Sequence, residues 1–241
     1  MLVVLEIFFN NKMKKTRISI IVVLLLLIKT TFIFSQNKNI PMDFKYFENY
    51  NNLSSFTKDK VECQICKSLI VCFNSTFYGL EKINHICPNC IFNKKIYDRD
   101  ISLNEADISS LILQLRDINK GLDEKEIIEI ANKKTKELEK ATPQLIAWQG
   151  FEWPCLDGDY AKFIGFGSKP FFNSLASDGK GKKLFKKSIT PELMNNLEDD
   201  FWDNIPDKLI TTLNKSNDYS ALTYVFKSLL SEKIVILMDQ D

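Results

Sequence analysis

Cys63-Gln64-Ile65-Cys66 and, 20 residues further on, Cys87-Pro88-Asn89-Cys90 are the stretches on which the reading of this chain turns. Each C-x-x-C forms a tight knuckle that aims two sulfurs at one point, and the intervening residues suffice for a hairpin that brings the knuckles together. Four thiolates then close a tetrahedral shell with no coordination position left for water or substrate. The spacing predicts one structural zinc ion on Cys63, Cys66, Cys87 and Cys90, within a zinc-ribbon-like part at about residues 60–95. In small peptides such binding is worth roughly 10–16 kcal/mol of apparent folding free energy, enough to order a stretch too polar to order itself. The alternative is a pair of disulfides, or two dithiols without metal.

Which alternative holds depends on compartment, and the N-terminus bears on that. Lys14, Lys15 and Arg17 precede the apolar run Ile18 to Ile28, and Phe34-Ser35-Gln36 offers a small residue before a polar stretch, the layout of a secretory signal. The run is 11 residues, short of the roughly 20 that span a bilayer. Residues 1–35 are therefore expected to be a signal peptide or an N-terminal membrane anchor. Residues 14–35 would direct export, leaving the protein periplasmic or membrane-anchored; a true start downstream of this segment would leave it cytoplasmic. In an oxidising compartment zinc and disulfide compete for the same sulfurs.

Removing residues 1–35 takes five of the 32 basic residues (Lys12, Lys14, Lys15, Arg17, Lys29) and one of the 31 acidic ones (Glu6), leaving 27 against 30. A mildly acidic body speaks against general affinity for nucleic acid or anionic lipid. Any membrane contact runs through the N-terminal segment alone. With 18 Phe against eight Gly and seven Pro, the composition excludes low complexity and intrinsic disorder. The length after residue 35 suits one domain with a real core.

Local patterns place the motifs. Leu69 to Phe73 reads as an extended run after the first knuckle. Ser102 with Glu105 resembles a capping box ahead of Ile108, Leu111, Ile112, Leu115 and Ile118 at helical spacing, ended by Lys120-Gly121. Asp123 with Glu126 opens a second helix to about Lys140, before Thr142-Pro143. Thr190-Pro191 starts a third through Leu193, Leu197 and Phe201. Two β-like runs, Ala221 to Lys227 and Lys233 to Leu237, are joined by a turn at Ser228 to Ser231. The expectation is an α+β protein: a zinc-ribbon-like knuckle module packed on a mixed helix and strand body with a C-terminal β-hairpin.

Beyond the cysteines, Ile40-Pro41-Met42-Asp43-Phe44-Lys45-Tyr46, Trp148-Gln149 with Glu152-Trp153, Gly158-Asp159-Tyr160 with Phe163-Ile164-Gly165, Tyr224-Val225-Phe226 and the closing Asp239-Gln240-Asp241 complete a recognisable series. Together with Val61 to Cys66 and Ile86 to Ile91, this series resembles the CbrC-like (UPF0167) colicin-tolerance family. The likeness runs from about Ile40 to the last residue, so 36–241 reads as one CbrC-like domain. The resemblance implies a link to bacteriocin tolerance or envelope stress. It also implies a second cysteine set, at positions that here hold Asp157, Ala161, Ser228 and Ser231. If that set were one metal site, losing all four together is what coordination demands, because a partial set strands thiolates or binds metal poorly. The competing reading is independent drift.

Three further groups bear on function. Cys72 reads as a small buried hydrophobe. Cys155 lacks a base, since the one histidine, His85, lies next to the second knuckle as a neighbour or substitute ligand. Trp148, Gln149, Glu152, Trp153, Gly158 and Asp159 form a possible functional surface, where carboxylates against aromatic rings, Asp157 included, could serve as general acid or base. The commoner use of these residue types is a hydrogen-bonded turn with core tryptophans. Finally, Lys180 to Lys187 reads as a solvated loop, with a contact for phosphate or an acidic partner as the alternative. The resulting expectation is a non-enzymatic, zinc-stabilised interaction protein with a protein partner. The rivals are a hydrolase-like enzyme, favoured by a pocket lined by Trp148, Glu152 and Asp157, and a nucleic-acid-binding zinc ribbon, favoured by a positive stripe continuous with the knuckles.

Overall fold

A computed structural model describes residues 42–75, 77–147, 149–189, 201–219 and 221–240. The N-terminal segment, Trp148 and the proposed helix start at Thr190-Pro191 lie outside the described residues. The chain runs through α1 (Tyr50–Leu53), β1 (Val61–Glu62), β2 (Leu69–Ile70), β3 (Phe73–Asn74), β4 (Tyr78–Gly79), β5 (His85–Ile86), α2 (Pro88–Phe92), β6 (Ile101–Ser102), α3 (Ile108–Ile118) and α4 (Glu124–Ala141). It continues through β7 (Cys155–Leu156), β8 (Asp159–Tyr160), β9 (Lys162–Phe166), α5 (Lys169–Leu175), α6 (Gly181–Ser188), α7 (Phe201–Asn204), α8 (Leu213–Ser216), β10 (Ala221–Lys227) and β11 (Ile234–Gln240). Helices and small antiparallel sheets mix along the chain, which makes the fold α+β. Among the described residues no helix is long and apolar enough to cross a membrane.

The centre is an antiparallel sheet in the order β11-β10-β9. Period-two alternation along β10 sends Tyr224 and Phe226 to one face and Val225 to the other, and both faces are covered. Tyr224 and Phe226 pack with Phe151, Trp153, Phe163 and Phe166, with ring centroids 5.2–5.6 Å apart in the closest pairs. Such edge-on and tilted pairs add about 0.5–1.5 kcal/mol each beyond area burial. On the opposite face Val225 and Ile236 meet Phe172 of α5, Phe185 of α6, and Phe201 and Ile205 at and after α7. A bulge between Val225 and Phe226 leaves Ile164 as the extra residue of β9. The free edge of β9 is covered by residues 46–48: Phe163 N–H donates to Tyr46 C=O at 2.8 Å and Glu48 N–H to Phe163 C=O at 2.9 Å.

Three expectations change on contact with the fold. Ser102 does not open a helix, because Ile101–Ser102 pairs with Tyr78–Gly79 and Leu103 N–H goes to Glu139 C=O. The helix starts six residues later, where Asp107 accepts from Ser110 N–H at 2.8 Å. The run from Leu69 to Phe73 breaks into two pairings, Glu62↔Leu69 and Phe73↔Ile86, so that no continuous strand passes through Cys72. The lysine run is helical rather than a loop: Leu184, Phe185 and Ser188 turn inward from α6 while Lys182, Lys183, Lys186 and Lys187 face out. In contrast, α4 opens on the reciprocal capping box that Asp123 and Glu126 foretell, with bonds of 2.8 and 2.9 Å. From Asp43 onward the chain clusters into one compact unit.

Candidate metal centre

The knuckles are built by short-range backbone geometry. Cys63 C=O accepts from Lys67 N–H at 2.8 Å, and the left-handed backbone at Lys67 (φ 63°) reverses the chain so that Cys63 N–H reaches Ser68 C=O at 2.9 Å. On the second knuckle Pro88 stands at the first position of α2, where its missing N–H costs nothing. Cys90 N–H donates to Cys87 C=O at 2.9 Å. Gln64 joins the two. Its side-chain oxygen accepts from Asn84 N–H at 2.7 Å and His85 N–H at 2.9 Å, while its own N–H donates to His85 C=O at 3.0 Å.

That clamp gathers the four sulfurs. Cys63, Cys66, Cys87 and Cys90 place their Sγ atoms within 4.8 Å of one another. Cys63 to Cys90 is 3.8 Å and Cys66 to Cys87 is 3.7 Å, far from the roughly 2.0 Å of a disulfide. Cys87 N–H also donates to Cys63 Sγ at 3.3 Å. Three of the cysteines are buried and Cys66 is half-buried. Burial pushes the Cys87 thiol up to about 11 and also raises Cys90. Hydrogen bonds from Ser68 draw Cys66 down to about 6. Gathered thiolates in a buried site need a cation to offset their desolvation, so the arrangement suits metal. His85 enters through its backbone and is not in the ligand group. Cys72 is buried beside Cys63, where burial first and the cluster second push its thiol up to about 12.

The second cysteine set implied by resemblance is answered by a polar cluster. Asp157 accepts from Ser228 Oγ at 2.7 Å and Ser231 Oγ at 2.6 Å, and pairs with Lys233. Lys233, then the two hydroxyls, hold its carboxyl down at about 2. Three of the four positions therefore meet in space. Ala161 is not a partner in that cluster; it is fully buried, its carbonyl accepting from Trp153 Nε1–H at 2.7 Å.

The candidate functional surface divides into buried parts. Trp153 is 1% exposed, and its backbone N–H donates to Glu105 C=O at 2.8 Å. Asp157 (φ 56°) and Gly158 (φ 77°) form the two-residue turn between β7 and β8, a left-handed pair that suits a hairpin. Gln114 of α3 clamps that turn, donating to Cys155 C=O and accepting from Gly158 N–H, both at 3.0 Å. Asp159 is buried and accepts from Tyr46 Oη at 2.8 Å and Lys134 Nζ at 2.6 Å, with Lys45 at 3.2 Å. Burial works to raise its carboxyl, but those partners outweigh burial and lower it. Burial keeps Cys155 protonated by pushing it up to about 12.

Gln149 N–H donates to the buried Asp239 carboxylate at 3.2 Å. A cavity of about 280 Å³ opens between Asn104, Glu105, Gln144, Gln149, Phe151 and Trp153. Neither Glu152, which is exposed, nor Asp157 lines it. The buried network of Tyr46, Lys134 and Asp159 had no local signal in the sequence, since its members lie up to 113 residues apart. No solved structure matches the chain. Over residues 41–240 the sequence matches the model of the Uncharacterised protein family (UPF0167), and with the tetracysteine cluster, the tryptophan segment and the closing sheet all inside that match, the chain belongs to this family.

Proposed function

We propose that the four thiolates bind one structural zinc ion, and that the zinc-ribbon-like module so held belongs to a non-enzymatic interaction protein. The sulfur spacing carries the reading. A tetrahedron of sulfurs at about 2.3 Å from zinc has edges of about 3.8 Å, against the 3.7 and 3.8 Å pairs here. Bound zinc supplies charge compensation for buried thiolates and, with its shell closed, no site for substrate. Leu69, Ile70 and Val71, all exposed on and beside β2, give the module an apolar edge that supports a protein partner. Of the lysines beside the knuckles, Lys67 is paired with Glu62 and Lys94 with Glu137, which lowers the free positive charge that a nucleic-acid ribbon centred there would need. The burial of Trp153 and Asp159 and the raised Cys155 thiol do not favour a hydrolase on that segment.

Membership of the family, read with the resemblance to colicin-tolerance proteins, supports a role in bacteriocin tolerance or envelope stress. The basic and apolar order of residues 14–35 supports export, with a cleaved signal or an anchor as the two forms. Metal content, free-thiol count and N-terminal sequence on protein from its native compartment test the reading. One zinc per chain, with Cys63, Cys66, Cys87 and Cys90 shielded from alkylation until chelation, is expected. No metal and four oxidised cysteines would overturn it.

A further inference from the structure

The lysine helix α6 borders an open groove of about 690 Å³ lined mainly by Lys169, Lys180, Lys182, Lys183, Lys186 and Trp202. Trp202 is anchored on the core by tilted ring contacts, 5.5 Å from Phe185 and 5.9 Å from Phe172, while the residue stays half-buried. Lys169 is committed to Asp207 at 2.8 Å. Among the described residues Lys182, Lys183, Lys186 and Lys187 carry no ion pair. A second groove of about 600 Å³ shares Lys180 and Lys183 and adds Lys187, with Asp178 and Glu232 also in its lining. Unpaired like charges at successive helical positions repel one another, a cost relieved by an anion. An indole wall beneath a lysine rim is the pairing that receives a base and its phosphates.

We infer that the α6 groove binds a nucleotide unit, with the base against the Trp202 indole and the phosphates on Lys180, Lys182, Lys183 and Lys186. This site is separate from the metal centre and does not depend on it. A free nucleotide and the end of a single strand present the same chemistry, so the test carries both. ATP, 5′-phosphorylated decathymidylate and tripolyphosphate are titrated into the full chain at low ionic strength, following tryptophan fluorescence and calorimetry.

At least one of the two base-bearing probes is expected to quench fluorescence and to bind about tenfold or more tighter than tripolyphosphate, with affinity falling as salt rises. ATP alone would assign the free nucleotide; tighter oligonucleotide binding would assign the strand. Lys182→Gln with Lys186→Gln, on exposed and unpaired positions, is expected to weaken the bound probe about tenfold and flatten its salt dependence. Trp202→Phe is expected to remove the quenching. No binding at millimolar probe, or tripolyphosphate binding as tightly as the tighter of the two base-bearing probes, overturns the assignment. Should Trp202→Phe fail to fold, an unchanged affinity in the double lysine variant overturns it independently.

Discussion

Ser231 donates a hydrogen bond to the Asp157 carboxylate at 2.6 Å across 74 residues of chain. The turn between β7 and β8 and the connection from β10 to β11 are thereby tied together by side chains, with Ser228 making a second bond and Lys233 the ion pair. The two hydroxyls also accept from backbone N–H groups of Leu230, Ser231 and Lys233, so each orders its own loop while it holds the other. A polar tie of this kind can replace a cross-link of other chemistry at the same place.

Asp157→Asn is expected to lower stability by about 1 kcal/mol at neutral pH, the upper end for a solvent-screened pair. The carboxyl is depressed to about 2 in the fold against about 3.9 in an unfolded chain. The native state thus binds its proton less readily, and the contribution is complete above about pH 5 and fades as pH falls from about 4 to 2. Denaturation of wild type and variant from pH 7 to 2.5 should show curves that converge at the acid end. A constant gap would refute the pairing.

Asp159→Asn removes the acceptor charge for Lys134, Lys45 and Tyr46, and a cost of about 2–3 kcal/mol is expected from hydrogen bonds to a charged, buried group. Because these partners bridge Lys45 and Tyr46, α4 and β8, amide exchange should accelerate along Tyr46 to Glu48 and the facing edge of β9. An effect confined to β8 would contradict the network.

Removing metal with a chelator, or replacing Cys87 with Ser, is expected to free residues 61–95 for proteolysis while the core around Tyr224 and Phe226 persists. In the proposed site thiolate ligation would supply the order of that segment, whose paired strands are two residues long and could not stand alone. Limited proteolysis with mass spectrometry reads the outcome. Resistance of the segment in metal-free protein would show that the metal does not organise it.

Gln64→Ala leaves the N–H groups of Asn84 and His85 without their acceptor. Since one of them is partly buried, a loss of about 1–2 kcal/mol is expected. Zinc should transfer to a chelator about tenfold faster, an effect of the size seen when supporting shells are removed from metal ligands. Gln64→Glu keeps the acceptor and should restore most of the shielding.

Trp153→Phe keeps the ring contact with Phe226 but loses the bond to Ala161 C=O. A destabilisation of about 2–3 kcal/mol is expected from the stranded carbonyl and the unfilled volume. Acrylamide quenching of the wild-type indole at this position should be weak. Strong quenching would return Trp153 to the surface.

The parts legible in the sequence were those decided by neighbours. The C-x-x-C pairs, the Asp123 and Glu126 capping box and the two apolar runs around Ser228 each need only residues within a turn or a hairpin of one another. Ser102 and the lysine run misled for a related reason. Ser102 carries a capping signal, but pairing with Tyr78 takes its backbone, and tertiary hydrogen bonds outweigh a local preference worth about 1 kcal/mol. Lys180 to Lys187 is polar by composition, yet Leu184 and Phe185 sit one turn from Ser188 and suffice to anchor a helix on the core.

What the sequence by itself determined is the set of four cysteines that meet and the two short turns that carry them, because sulfur spacing and loop length are properties of the chain. Only the tertiary structure decided that Trp153 and Asp159 are interior, that Gln64 is the clamp between knuckles, and that Asp157 meets Ser228 and Ser231. Each of those depends on closing loops of 20 residues or more, and no local interaction fixes which polar group a distant one will meet once the sheet has formed.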